Sequence, residues 1–85
     1  MREPEWDYVR ETLTSLRVKD LRKLGRNWFS GCLGGASTKA GIVQEMASQM
    51  RYWWHLTNGV GRTRVASVIR DMEKLKEEKE ERDGR

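Results

Sequence analysis

Ile42, Val43, Met46, Met50, Trp53 and Trp54 recur at steps of three and four, the longest helical periodicity in the chain. A stripe of that kind must be buried against something, and an 85-residue chain has room for one domain to supply the cover. The partners it needs are also helical. Trp6, Val9 and Leu13 mark one face of a first helix over about Pro4 to Leu13. Val18, Leu21, Leu24 and Trp28 mark a second over about Val18 to Trp28. Val65, Val68, Ile69, Met72 and Leu75 mark a fourth that starts near Thr63. No stretch alternates with the period of a strand, and no segment repeats. The expectation is an all-α fold.

The segments between these helices carry their own signals. Glu3-Pro4-Glu5 is a helix start, because proline suits the first turn and acids favour the positive end of the helix dipole. Thr12, Thr14 and Ser15 weaken the far end of that helix. The three glycines within Phe29 to Ala36 preclude a helix there, leaving a loop with Leu33 as its apolar plug. Ser37 is the expected N-cap of the third helix, with Thr38 and Lys39 opening it. Thr57 to Gly61 is the expected break after that helix. Trp53 and Trp54 are about 100° apart on the helix, so one seals the core while the other packs on the last helix or faces solvent. Residues 76–85 hold no apolar side chain and are expected as a solvated helical extension or a disordered tail beyond a single domain at 1–75.

Several function classes find no foothold. The apolar runs are too short for a membrane span, and no apolar stretch follows the N-terminal Met1-Arg2-Glu3 to form a signal peptide. Cys32 is the single cysteine, which points to a reducing, cytoplasmic setting, or to nucleoid or nucleus if DNA is the partner. It lacks the companions of a metal site, and His55, the single histidine, reads as a surface or cap residue near a helix end. There is no nucleophile–base set and no pair of carboxylates inside the folded region. The expectation is no enzyme, no cofactor, no metal and no small-molecule substrate.

Charge is the positive signal. Residues 17–70 hold ten basic residues against two acids, Asp20 and Glu45, a balance of +8, whereas residues 71–85 carry −2. A basic middle suits a polyanion. Lys19, Arg22, Lys23 and Arg26 fall on the face of the second helix opposite its apolar set, where they either meet phosphates or form a solvated face. The start of the third helix offers free backbone N–H groups, the hydroxyls of Ser37 and Thr38, the charge of Lys39 and, at Gly34-Gly35, a backbone a phosphate can approach.

Leu16-Arg17-Val18-Lys19-Asp20-Leu21, Leu33, Gly35-Ala36-Ser37-Thr38-Lys39, Ile42, Val43 and Met46 together resemble the SAP domain, a helix–extended loop–helix family. The segment between Val18 and Lys39 looks about three residues longer than the usual family spacing, which also admits the similar N-terminal domain of the terminator Rho. The resemblance implies DNA contact through Gly35, Ser37, Thr38 and Lys39, with Lys19, Arg22 and Lys23 beside them. Downstream, Leu56 to Val65 resembles the hairpin of a helix-hairpin-helix motif over 56–69. That likeness implies phosphate contact through Gly59 and Gly61, with Arg62 and Arg64 adding charge; a plain inter-helix loop is the alternative.

The expected protein is thus a small helical domain: a helix–extended loop–helix core with flanking N- and C-terminal helices. Its expected partner is nucleic acid, duplex DNA ahead of RNA, bound through phosphates with little base reading. The alternative is a protein-interaction adaptor that exposes a Trp/Met helical surface. Tryptophan emission separates the two, since blue-shifted, quencher-resistant emission means buried indoles.

Overall fold

The computed structural model describes residues 2–29, 37–56 and 59–83. Over these residues the chain forms four helices: α1 (Trp6–Ser15), α2 (Val18–Trp28), α3 (Lys39–Leu56) and α4 (Gly59–Asp83). There is no strand among the described residues, and the all-α reading holds.

The helices pack through the predicted stripes. Val9 and Leu13 of α1, Leu21 and Leu24 of α2, and Met46, Met50 and Trp54 of α3 are buried in one cluster with Val65, Val68 and Met72 of α4. Leu16, between α1 and α2, is fully buried in the same cluster. Burying each such side chain contributes roughly 1.5–3 kcal/mol against the entropy of ordering the chain. Val18 departs from the expected α2 face. It occupies the first turn and is 37% exposed, and buried Gly25 and half-buried Trp28 complete that side instead.

Specific polar contacts fix the directions of the helices. The Tyr8 hydroxyl of α1 donates to Glu73 Oε2 of α4 at 2.6 Å, and Lys79 Nζ of α4 donates to the Ser15 carbonyl at 2.6 Å. Tyr8 to Ser15 therefore runs the same way as Glu73 to Lys79, so α1 and α4 are parallel. Trp28 Nε1, at the end of α2, donates to Asp71 Oδ2 of α4 at 2.8 Å. Lys19, at the start of α2, shares a groove with Glu81 and Arg82, so α2 and α4 are antiparallel. His55 of α3 lies 3.4 Å from Glu3, just before α1. Thr14 shares a groove with Lys39, so α3 opposes α1.

The ends of α1 and α4 differ from the sequence reading. α1 begins at Trp6, leaving Pro4 in extended chain, and its hydroxyls do not stop it at Leu13. Thr14 Oγ1 donates to the Arg10 carbonyl at 2.8 Å and Ser15 Oγ to the Thr12 carbonyl at 2.6 Å. These back-bonds satisfy the hydroxyls on the helix itself, so the competition that weakens such residues is absorbed. α4 begins at Gly59, four residues before the expected start. Stepping back four from Val65 lands on Gly61, which is buried, so the apolar stripe already runs through that turn. At its other end α4 continues to Asp83, the helical form of the expected tail. Glu78 and Arg82 fall one turn apart in the favourable order for an i,i+4 pair, and the Lys79–Ser15 bond anchors the segment to α1.

The α1–α4 tie has a pH signature. The hydrogen bond to Glu73 raises the Tyr8 pKa above its ordinary value near 10, desolvation adds to the rise, and a contact from Thr12 opposes it. A raised folded-state pKa means that the stabilisation is complete below the unfolded value and is lost as pH climbs through the folded one. In a Tyr52→Phe background, absorbance titration should find Tyr8 ionising above pH 10. Adding Glu73→Gln should move its midpoint down toward 10. An unmoved midpoint would mean that the bond does not form.

Candidate nucleic-acid interface

The basic face of α2 arises from its sequence period. Lys19, Arg22, Lys23 and Arg26 are all exposed, on the side away from buried Leu21, Leu24 and Gly25. Among the described residues no carboxylate is within ion-pair distance of any of the four. They do not all face the same surroundings. Lys19, Lys23 and Arg26 line an open groove of about 520 Å3 between α2 and α4, and Glu78 and Glu81 stand on its α4 side. Arg22 is not among the residues lining that groove.

Asp20 also lines the groove and is 9% exposed, with Oδ2 unpartnered among the described residues. As an acid in the first turn of α2 it suits the positive end of the helix dipole.

The N-terminus of α3 is built differently from the expectation. Thr38, not Ser37, is the cap: its Oγ1 accepts from the Gly41 N–H at 3.1 Å, and its carbonyl accepts from Ile42 N–H at 2.9 Å. Ser37 lies one residue outside the cap and is exposed. The Thr38 hydroxyl keeps its own hydrogen free to donate. Lys39 is exposed beside it. Arg10 of α1 joins Lys39 on a groove of about 450 Å3 whose other lining residues include Thr14, Val43 and Gln44, with no carboxylate. Arg10 carries no signal in the sequence, because its approach to Lys39 depends on how α1 packs on α3. Gly35, Cys32 and Leu33 lie outside the described residues.

The helix-hairpin-helix element lies apart from the start of α3, near the far end of α2. Gly59 and Gly61 belong to the first turn of α4 rather than to a turn ahead of it. No atom beyond its immediate neighbours stands within 4 Å of where a Cβ on Gly59 would lie, so that face is open. Arg62 and Arg64 lie at the end of the molecule opposite Lys39, and both engage tryptophans. The Arg62 guanidinium sits 5.0 Å from the centroid of Trp54, and that of Arg64 4.4 Å from that of Trp53. Arg64 also donates to the Trp28 carbonyl, and Phe29 stacks on Trp53 at 4.9 Å. The arginines thus close the core at that end.

The tryptophan pair divides as its geometry requires. Trp54 is buried, and Trp53 is half-buried between Phe29 and Arg64. Met46, Met50 and Met72 are fully buried, so no methionine surface is open to a partner among the described residues. Among the described residues the exposed large apolar groups are instead Tyr52, Leu56 and Val60 at 64%, 58% and 83%, together with Tyr8 and Val18.

No helix among the described residues is long and apolar enough to cross a membrane, and no cluster of three or more His, Cys, Asp or Glu there is placed to hold a metal ion. No family model, curated protein or solved structure matches this chain. The likeness to the SAP pattern rests on its residues alone.

Arg64 should matter to stability. A cation over an indole contributes roughly 0.5–2 kcal/mol, so Arg64→Ala should cost about 1–2 kcal/mol in chemical denaturation. It should also raise acrylamide quenching of the indoles. A variant as stable as wild type would remove Arg64 from the core-closing role.

Proposed function

We propose that the chain binds the phosphate backbone of duplex nucleic acid, DNA ahead of RNA, with little reading of base sequence. The observation that carries this is the outer face of α2, where four cations are exposed and none is ion-paired among the described residues. From Lys19 to Arg26 the helix rises about 10 Å, roughly three phosphate steps along one strand's axis. Like charges so closely spaced repel one another, and a polyanion relieves that repulsion. The start of α3 supplies a second contact, with the first-turn N–H groups that Thr38 does not cap, the Thr38 hydroxyl and the exposed Lys39. Arg10 reinforces it from α1. No described helix presents Asn, Gln and Arg at the spacing that reads base edges in a groove.

In this arrangement Arg62 and Arg64 serve the core, with Arg64 held at the end of α2 by its bond to the Trp28 carbonyl. A cytoplasmic or nucleoid setting would suit a DNA partner. A second reading, a protein-interaction adaptor, is favoured by the exposed Tyr52, Leu56 and Val60 rather than by the buried methionines.

The test is a gel-shift titration with a duplex of about 20 base pairs, its single strand and an RNA, each at two salt concentrations. Wild type should retain the duplex best, and each phosphate contact should contribute about 0.9 to the log–log salt slope. Arg22→Glu and Lys39→Glu should each lower the slope by about one or more while leaving the melting curve intact. No retention of any nucleic acid at low salt, or variants indistinguishable from wild type, would overturn the reading.

A further inference from the structure

The α2–α4 groove has walls of opposite charge. On the α2 side stand Lys19, Lys23 and Arg26, with the largely buried carboxylate of Asp20 between them; on the α4 side stand the exposed Glu78 and Glu81, and Arg82 at the end adds one cation. The antiparallel course of α4 makes this alignment systematic, because the Trp28–Asp71 bond sets its register and the Lys79–Ser15 bond holds its far end down. Yet the groove is open, at about 520 Å3, and no ion pair within 4 Å crosses it among the described residues. The acids are close enough to be felt and too far to be locked. That is the geometry of a screened electrostatic cover and not of a structural salt bridge.

We infer that the acidic end of α4 acts as a built-in competitor for the basic face of α2, so that Glu78 and Glu81 weaken the hold of that face on a polyanion. The inference rests on the phosphate-binding reading of α2. Phosphates approaching Lys19, Lys23 and Arg26 come alongside two carboxylates of their own sign. The repulsion lowers affinity, and the same carboxylates relieve the like-charge strain of α2 when no polyanion is bound. At about 8 Å in water, each carboxylate opposes one phosphate charge by an amount worth about two- to threefold in binding. With a Debye length of about 14 Å at 50 mM salt, screening leaves about 1.6-fold per carboxylate, so removing both should tighten binding about threefold there. The gain should shrink as ions shorten the Debye length from about 14 Å at 50 mM to about 7 Å at 200 mM.

The discriminating experiment compares three full-length proteins on the same duplex: wild type, Glu78→Gln/Glu81→Gln, and the control Glu5→Gln/Glu11→Gln. The control removes the same charge at and just before α1, a helix that does not pack closely on α2. The groove variant should bind about threefold tighter than wild type at about 50 mM salt, and the control less than twofold tighter. Equal tightening by both variants would mean that net charge alone acts, and would overturn the inference. So would a groove variant that binds no better than a wild type that does bind, an outcome that leaves the phosphate-binding reading standing. If neither binds, both fall. If the groove variant alone binds, the cover is stronger than calculated and the inference stands. Matching melting curves for the three proteins would exclude a difference in folding.

Discussion

The seam between α3 and α4 is what the other two helices rest on. Met46, Met50 and Trp54 on one side and Val65, Val68 and Met72 on the other are almost wholly shielded from water. α1 and α2 each pack against both of these helices and barely touch one another. An 85-residue chain has few such contacts to spare. The arginines at positions 62 and 64 belong to this seam, since they cover the indoles at the end where α3 turns into α4. Their charge is the feature that stands out in the sequence, yet their planar groups do a packing task.

The same seam determines how charge is displayed. α4 is 25 residues long and α2 is 11, so α4 runs past the core. Its polar end comes beside the start of α2 because the two are antiparallel. A basic helix and the acidic end of another are thereby laid side by side with an open groove between them. The α2–α4 groove is thus of mixed sign, whereas the groove between α1 and α3 that holds Arg10 and Lys39 is lined by no carboxylate. On the proposed reading, the balance within those grooves, more than the overall charge of +4, would decide how tightly a polyanion is held.

Much of the fold was legible because the apolar residues of each helix keep the 3.6-residue period. The bounds of α2 follow from that period, and so does the split of the tryptophan pair into one core ring and one outside it; that Trp54 is the buried one depends on the packing. The ends of α1 and α4 were harder to read. Thr14 and Ser15 turn back onto their own helix, which no propensity records, and Gly61 is drawn into a helix by its place on the stripe. The cap at Thr38 instead of Ser37 turns on a single hydrogen bond. The four cations of α2 are visible in the sequence as a set. That three of them face Glu78 and Glu81, and that Arg10 comes beside Lys39, depends on tertiary packing between segments far apart in the chain.

The central claim is that a polyanion lands on α2 and the start of α3, away from the tryptophan end. It is tested most directly by following backbone amide signals in nuclear magnetic resonance while a short duplex DNA is added at low salt. The account predicts shifts concentrated at Lys19, Arg22, Lys23, Arg26, Lys39 and Ala40, with Val60, Arg62 and Arg64 quiet. Shifts centred instead on Tyr52, Leu56 and Val60, or a spectrum that does not respond, would contradict it.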